Sequence, residues 1–217
     1  NGLTSLDGCP KTVTGDFNCS RNSLISLFEG PTEVNDFDCS YNQLKNLSYA
    51  PKEVKGNFDC SNNLIDSIKG MPRTVKGYFN CSTNKIATLK GGPKYVDATF
   101  DCSQNLIDRL TGGPVSVGQD YLCFKNNLTD LDGVADEIGF DLVSDIRLNH
   151  LSSTFNEEEK TWRYKGSEVI SHIYKPIVAL TNVDDISRWL RKHEIKNFTI
   201  LKDNSVNVHG DVRLANK

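Results

Sequence analysis

Cysteine returns at Cys19, Cys39, Cys60, Cys81, Cys102 and Cys123, at intervals of 20, 21, 21, 21 and 21 residues. A fixed period of this length restricts the chain to a stack of similar units, because one such unit cannot bury its own apolar edge. Other columns keep the same step. An aromatic stands two residues before each cysteine (Phe17, Phe37, Phe58, Phe79, Phe100, Tyr121), and an asparagine three residues after it (Asn22, Asn42, Asn63, Asn84, Asn105, Asn126). Leucine or isoleucine follows at five and eight residues, as in Leu24 and Leu27 or Ile65 and Ile68. Each unit then turns through a proline (Pro10, Pro31, Pro51, Pro72, Pro93, Pro114) and resumes at a valine (Val13, Val34, Val54, Val75, Val96, Val117).

These columns have readable roles. Phe-x-Cys alternates with period two, which predicts a short strand with both side chains inward. The asparagine lies where the chain leaves that strand, so its amide is expected to satisfy buried backbone groups there and to bond the asparagine of the next coil. Leu-x-x-Leu carries the apolar line through the turn, and Gly-x-Pro or Ala-Pro closes the coil. A hydrophobic content of 37% suits the thin core of a solenoid. The cysteines share the period of the repeat and form no Cys-x-x-Cys pair. They are expected as a column of reduced, packed thiols rather than as disulfides or zinc ligands.

The run Gly15-Asp16-Phe17-Asn18-Cys19-Ser20-Arg21-Asn22, with Leu24 and Ser26-Leu27 after it, resembles the leucine-rich repeats, with cysteine in a leucine position. More narrowly, it is similar to the repeat proteins of tailed bacteriophages. The resemblance covers residues 1–143. It implies an α/β-type solenoid, a leucine-rich-repeat-like parallel β array with a small α+β cap. It also implies a phage protein in the cytoplasm of an infected bacterium that inhibits or modulates a host or competing-phage protein.

Three segments are expected: the array at 1–143, its C-terminal cap at 144–180, and a helix-plus-hairpin unit at 181–217. Gly133, Ile138 and Leu142 keep the repeat spacing while Ser144 replaces the cysteine, so 132–148 reads as a degraded coil leading into the cap. Lys160–Tyr164 alternates like a strand, and 168–174 reads as a short helix. Further on, Thr181-Asn182 can cap a helix over 184–193, and Phe198–Leu201 and Val206–Val208 flank a hairpin turn. Val208-His-Gly-Asp-Val-Arg-Leu214 then reproduces the repeat motif. Joined to Asn1, it would bring Leu3 and Leu6 to their places in that coil. Residues 182–217 are therefore expected to be an N-terminal cap in permuted order; the rival reading is a second, truncated array.

The columns beside the inward pair should form the exposed strand face. They carry Asp16, Asp36, Asp38, Asp59, Asp101 and Asp120, with Tyr41, Tyr78, Leu122 and Phe124 as apolar anchors. These ten residues are the predicted partner-binding set, an acidic surface for a basic protein. The competing reading is that Asp and Asn suit a crowded, solvated strand and bind nothing. Lysines cluster in the turns (Lys11, Lys52, Lys55, Lys69, Lys76, Lys90, Lys94). A net charge of −3 argues against a dedicated nucleic-acid binder, and no apolar run is long enough to span a membrane. An open end of the array leaves association of copies open.

No catalytic reading gains support, since the histidines (His150, His172, His193, His209) lie outside the array and no nucleophile elbow, P-loop or dinucleotide signature occurs. No cofactor or metal is expected; a calcium reading of the aspartates is disfavoured because they sit on strands rather than in turns. The alternative function is a scaffold that positions a small C-terminal effector or enzymatic element.

Overall fold

The computed structural model describes residues 1–148 and 151–170, together with the backbone of 198–200 and 206–208. The chain divides into two compact units, Asn1–Ile170 and Ser171–Lys217.

The first unit is a parallel β-solenoid. Two-residue strands Phe17–Asn18, Phe37–Asp38, Phe58–Asp59, Phe79–Asn80, Phe100–Asp101 and Tyr121–Leu122 pair in register, aromatic on aromatic. The strand Asp141–Ser144 joins them in parallel through Leu142 and Val143, so the degraded coil still completes a turn of the stack. A second parallel ladder forms where each coil resumes after its proline. It runs Thr74–Val75, Tyr95–Val96, Ser116–Val117 and Glu137–Ile138, with Glu33–Val34 paired to Glu53–Val54. Each strand of this second ladder precedes the main strand of its coil by a short bend, as Glu33–Val34 precedes Phe37–Asp38, and among the described residues of the coils no helix forms.

The core is built of columns that contribute one side chain from each coil. Phe37, Cys39, Leu44, Phe58, Cys60 and Ile65 are each no more than 1% exposed. The rings stack along the array with centroids 5.1 to 6.0 Å apart. All seven cysteines are reduced, six buried and Cys9 half-buried. Burial pushes the Cys19 and Cys123 thiols up to about 12 and the four between them well above the ordinary thiol range.

The asparagine column differs from expectation in its partner. Asn63 Nδ2 donates to the carbonyls of Cys39, Cys60 and Ser61, while its Oδ1 accepts from Leu44 N–H. Asn42, Asn84 and Asn105 repeat the pattern. The amides thus stitch coil to coil through backbone rather than through one another. Backbone groups at the strand exit of one coil face the asparagine of the following coil, whose amide completes their bonding.

At the C-terminal end the strand Thr161–Lys165 adds antiparallel to Asp141–Ser144, and Ser153–Asn156 adds antiparallel to it. Residues 166–170 are helical, starting two residues before the expected position. In the second unit Phe198–Ile200 and Val206–Val208 form the expected antiparallel hairpin. The helix expected over 184–193, the repeat-like end 209–217 and the expected closeness of Leu214 to Leu3 lie outside the described residues.

Candidate functional site

Two columns of short polar side chains flank the inward Phe-x-Cys pair, and the fold uses both as hydrogen-bond acceptors. Asp38 Oδ1 accepts from the N–H and hydroxyl of Ser40 at 2.9 and 2.7 Å. Asp59 and Asp101 accept from the N–H of Ser61 and Ser103, each at 2.9 Å. Asn18 and Asn80 hold Ser20 and Ser82 in the same way. In the other column, Asp16 accepts from Asp36 N–H, Asp36 from Asn57 N–H, Asn57 from Tyr78 N–H and Asp120 from Asp141 N–H. At each of these positions the side chain acts as an acceptor, and Asn18, Asn57 and Asn80 fill that role as the aspartates do. The negative charge is therefore additional to what the coil geometry requires.

Amides bracket the carboxylates Asp38 and Asp59, which pair in register on neighbouring strands. Asn18 Nδ2 donates to Asp38 Oδ2 at 3.0 Å and Asn80 Nδ2 to Asp59 Oδ2 at 3.1 Å. Burial raises the Asp59 and Asp101 carboxyls above the usual range, against the hydrogen bonds from their serines. Tyr78 gathers the central acids: burial first, then the charges of Asp59, Asp38 and Asp36, push its hydroxyl up. Asp36, Asp38, Asp59 and Tyr78 therefore form one electrostatic cluster.

The other predicted residues are placed around it. Tyr41 is exposed, with the Arg21 guanidinium 4.4 Å over its ring. Asp16 is exposed at the first strand and Asp101 is half-buried two coils beyond Asp59. Leu122 and Phe124 are half-buried, with the Lys125 ammonium 5.7 Å from the Phe124 ring. Asp120 lies at the far end, and there the face is neutralised from within.

That neutralisation uses residues the sequence reading left out. Arg163 Nη1 reaches Asp141 at 3.1 Å and Asp120 at 3.7 Å, and Lys165 Nζ reaches Asp141 at 3.0 Å. Partial burial is the largest influence on Asp141 and tends to raise it, but the hydrogen bonds from Lys165 and Arg163 hold its carboxyl below the usual range. Asp141 continues the column of Asp16, Asp36 and Asp120, which its place before Leu142 made readable. That Arg163 and Lys165 would land on it depends on the register of an antiparallel strand, for which the repeat offers no signal.

The turn edge is less basic than its lysine count implied. Lys11 pairs with Glu29, Lys55 with Glu33 and Lys76 with Asp97, while Lys52 and Lys94 bond the carbonyls of Gly70 and of Gly112 and Gly113. Among the described residues no group of three His, Cys, Asp or Glu side chains could hold a metal ion, and no helix is long and apolar enough to cross a membrane. Comparison with known protein families, with curated proteins and with solved structures finds nothing that matches this chain.

Proposed function

We propose that the chain is a protein-binding repeat module whose acidic strand face takes a basic protein surface. In the setting implied by its resemblance to phage repeat proteins, it would act in the infected bacterial cytoplasm as an inhibitor or modulator of a host or defence protein. The observation that carries the reading is internal: Arg163 and Lys165 of the chain itself sit on Asp120 and Asp141, the last carboxylates of the same column. Asp16, Asp36, Asp38 and Asp59 form no ion pair among the described residues. Their charge is not needed for the turns, where Asn18, Asn57 and Asn80 serve equally. Surplus charge of one sign on a rigid face steers a partner of opposite sign.

The test is a peptide with arginine at alternate positions, titrated into the protein at low and at physiological salt. Binding should weaken with salt and be lost when Asp36, Asp38 and Asp59 are all changed to asparagine, residues the array already carries at equivalent places. Equal affinity of that variant and the parent protein would remove the acidic face as the site. A pull-down from bacterial lysate with both proteins then identifies the natural partner.

A further inference from the structure

The column at which each coil leaves its main strand carries a cost that the fold does not demand. Arg21, Tyr41, Asn62, Thr83, Gln104 and Lys125 all have φ between 52° and 55°. This left-handed region disfavours residues with a Cβ and is least costly for glycine and asparagine. The stack imposes it: the N–H groups of the first five donate to carbonyls of the next coil at 2.9 to 3.1 Å, and that of Lys125 donates to Asp145 Oδ2 at 2.6 Å.

The proline turn contains a second left-handed column, which serves as a comparison. There the chain places Gly8, Gly70, Gly91, Gly112 and Gly133, departing only at Glu29 and Tyr49. A Cβ on Gly8 would meet nothing within 4 Å, and one on Gly70 would meet only Lys52 Nζ at 3.9 Å. At those two positions the backbone conformation, not crowding, selects glycine. The strand-exit column faces the same demand, yet it holds no glycine and only one asparagine. Its residues also differ from coil to coil, while its neighbours repeat. Strain retained where a less costly residue would fit points to a functional surface.

We propose that this left-handed column reads the sequence of an extended polypeptide bound on the acidic face, with Arg or Lys at alternate positions of that polypeptide. The inference rests on the acidic-face reading and adds what selects among basic partners. The occupant's chemistry follows the strand Thr161–Lys165, whose Arg163 and Lys165, two residues apart, share Asp141. The column borders the carboxylates closely, because Tyr41 and Gln104 directly follow the serines held by Asp38 and Asp101. Basic side chains of the occupant meet the aspartates, and the side chains between them meet Tyr41, Thr83 and Gln104. Arg21 and Lys125 stand at the two ends of the column and repel a basic chain that slides outward, which fixes its register.

The test uses an array of peptides Arg-x-Arg-x-Arg in which x is varied, probed with the parent protein and with a Thr83→Asn, Gln104→Asn variant. These substitutions copy Asn62, so the melting temperature should be equal or higher. The variant should still bind the arginine peptides in a salt-dependent way, while a preference among x of about tenfold or more in the parent protein should collapse. An unchanged ranking of x in the variant overturns the proposal and leaves the acidic face standing. Failure of the parent protein to bind any arginine peptide overturns both.

Discussion

Asn63 donates its side-chain amide to the carbonyl oxygen of Cys39 in the preceding coil at 3.0 Å, and to that of Cys60 in its own coil at 3.2 Å. Its oxygen accepts from the N–H of Leu44, a residue that is wholly buried. One side chain thus closes the strand-exit bonding of two coils.

Asn63→Ala leaves Leu44 N–H without its partner in a dry site, at a cost of about 2–3 kcal/mol. Asn22→Ala at the first coil should cost less, because the Leu3 N–H it bonds is exposed and water can replace the amide. Asn63→Asp keeps the acceptor but loses both donors facing the carbonyls, so it should be the most damaging of the three. Urea unfolding followed by circular dichroism gives the order; equal losses for Asn22→Ala and Asn63→Ala would count against a stitching role.

Tyr121 offers a substitution in the opposite direction. Its ring fills the column occupied by phenylalanine in the preceding coils, and its buried hydroxyl has no hydrogen-bond partner among the described residues. Tyr121→Phe removes an unsatisfied polar group while keeping the stack on Phe100, whose centroid is 5.1 Å away. The variant should be more stable by about 1 kcal/mol, read as a rise in melting temperature. A fall would mean that the hydroxyl has a partner in solution.

The array was legible because its physics repeats: a two-residue alternation, a turn asparagine and a closing proline, each confirmed by its neighbours in adjacent coils. The degraded coil could be placed for the same reason, since Ile138 and Leu142 keep their columns after the cysteine is lost. What escaped the sequence depends on registers and directions that no period encodes. Nothing in Asn63 alone says that its amide prefers Cys39 O to Asn42, and nothing in Arg163 says that it lands on Asp120 and Asp141. The aspartates of the candidate face were visible as a column, but their dual use as turn acceptors and surplus charge appeared only with the serine hydrogen bonds.

Asp101 makes the charge surplus measurable through pH. Burial raises its folded-state carboxyl above the unfolded value despite the bond from Ser103. The folded protein therefore holds this proton more tightly than the unfolded chain does. The stability it contributes is fully present below the unfolded pKa and is lost as pH rises through the folded one. Asp101→Asn keeps the acceptor for Ser103, as Asn80 does for Ser82, and should raise the melting temperature at neutral pH. The gain should vanish in acid, where the aspartate is already protonated. A pH-independent gain would assign the effect to packing instead.

The thiol ladder gives a reporter of the whole stack. The thiolate is the species that reacts with an alkylating reagent, and burial pushes Cys19 and Cys123 up to about 12 and the four thiols between them well above the ordinary thiol range. Cys9 alone is half-exposed. Iodoacetamide at mildly alkaline pH should therefore modify Cys9 in the native protein and leave the other six unmodified until the array opens. Mass spectrometry of the intact chain should then pass from one adduct to seven, and modification of the inner thiols should depend on urea as the loss of circular dichroism does. Stepwise labelling from one end at low urea would instead show the coils unfolding singly, as nearest-neighbour coupling in a repeat array permits. Labelling of Cys60 or Cys81 at a rate insensitive to urea would contradict the packed column itself.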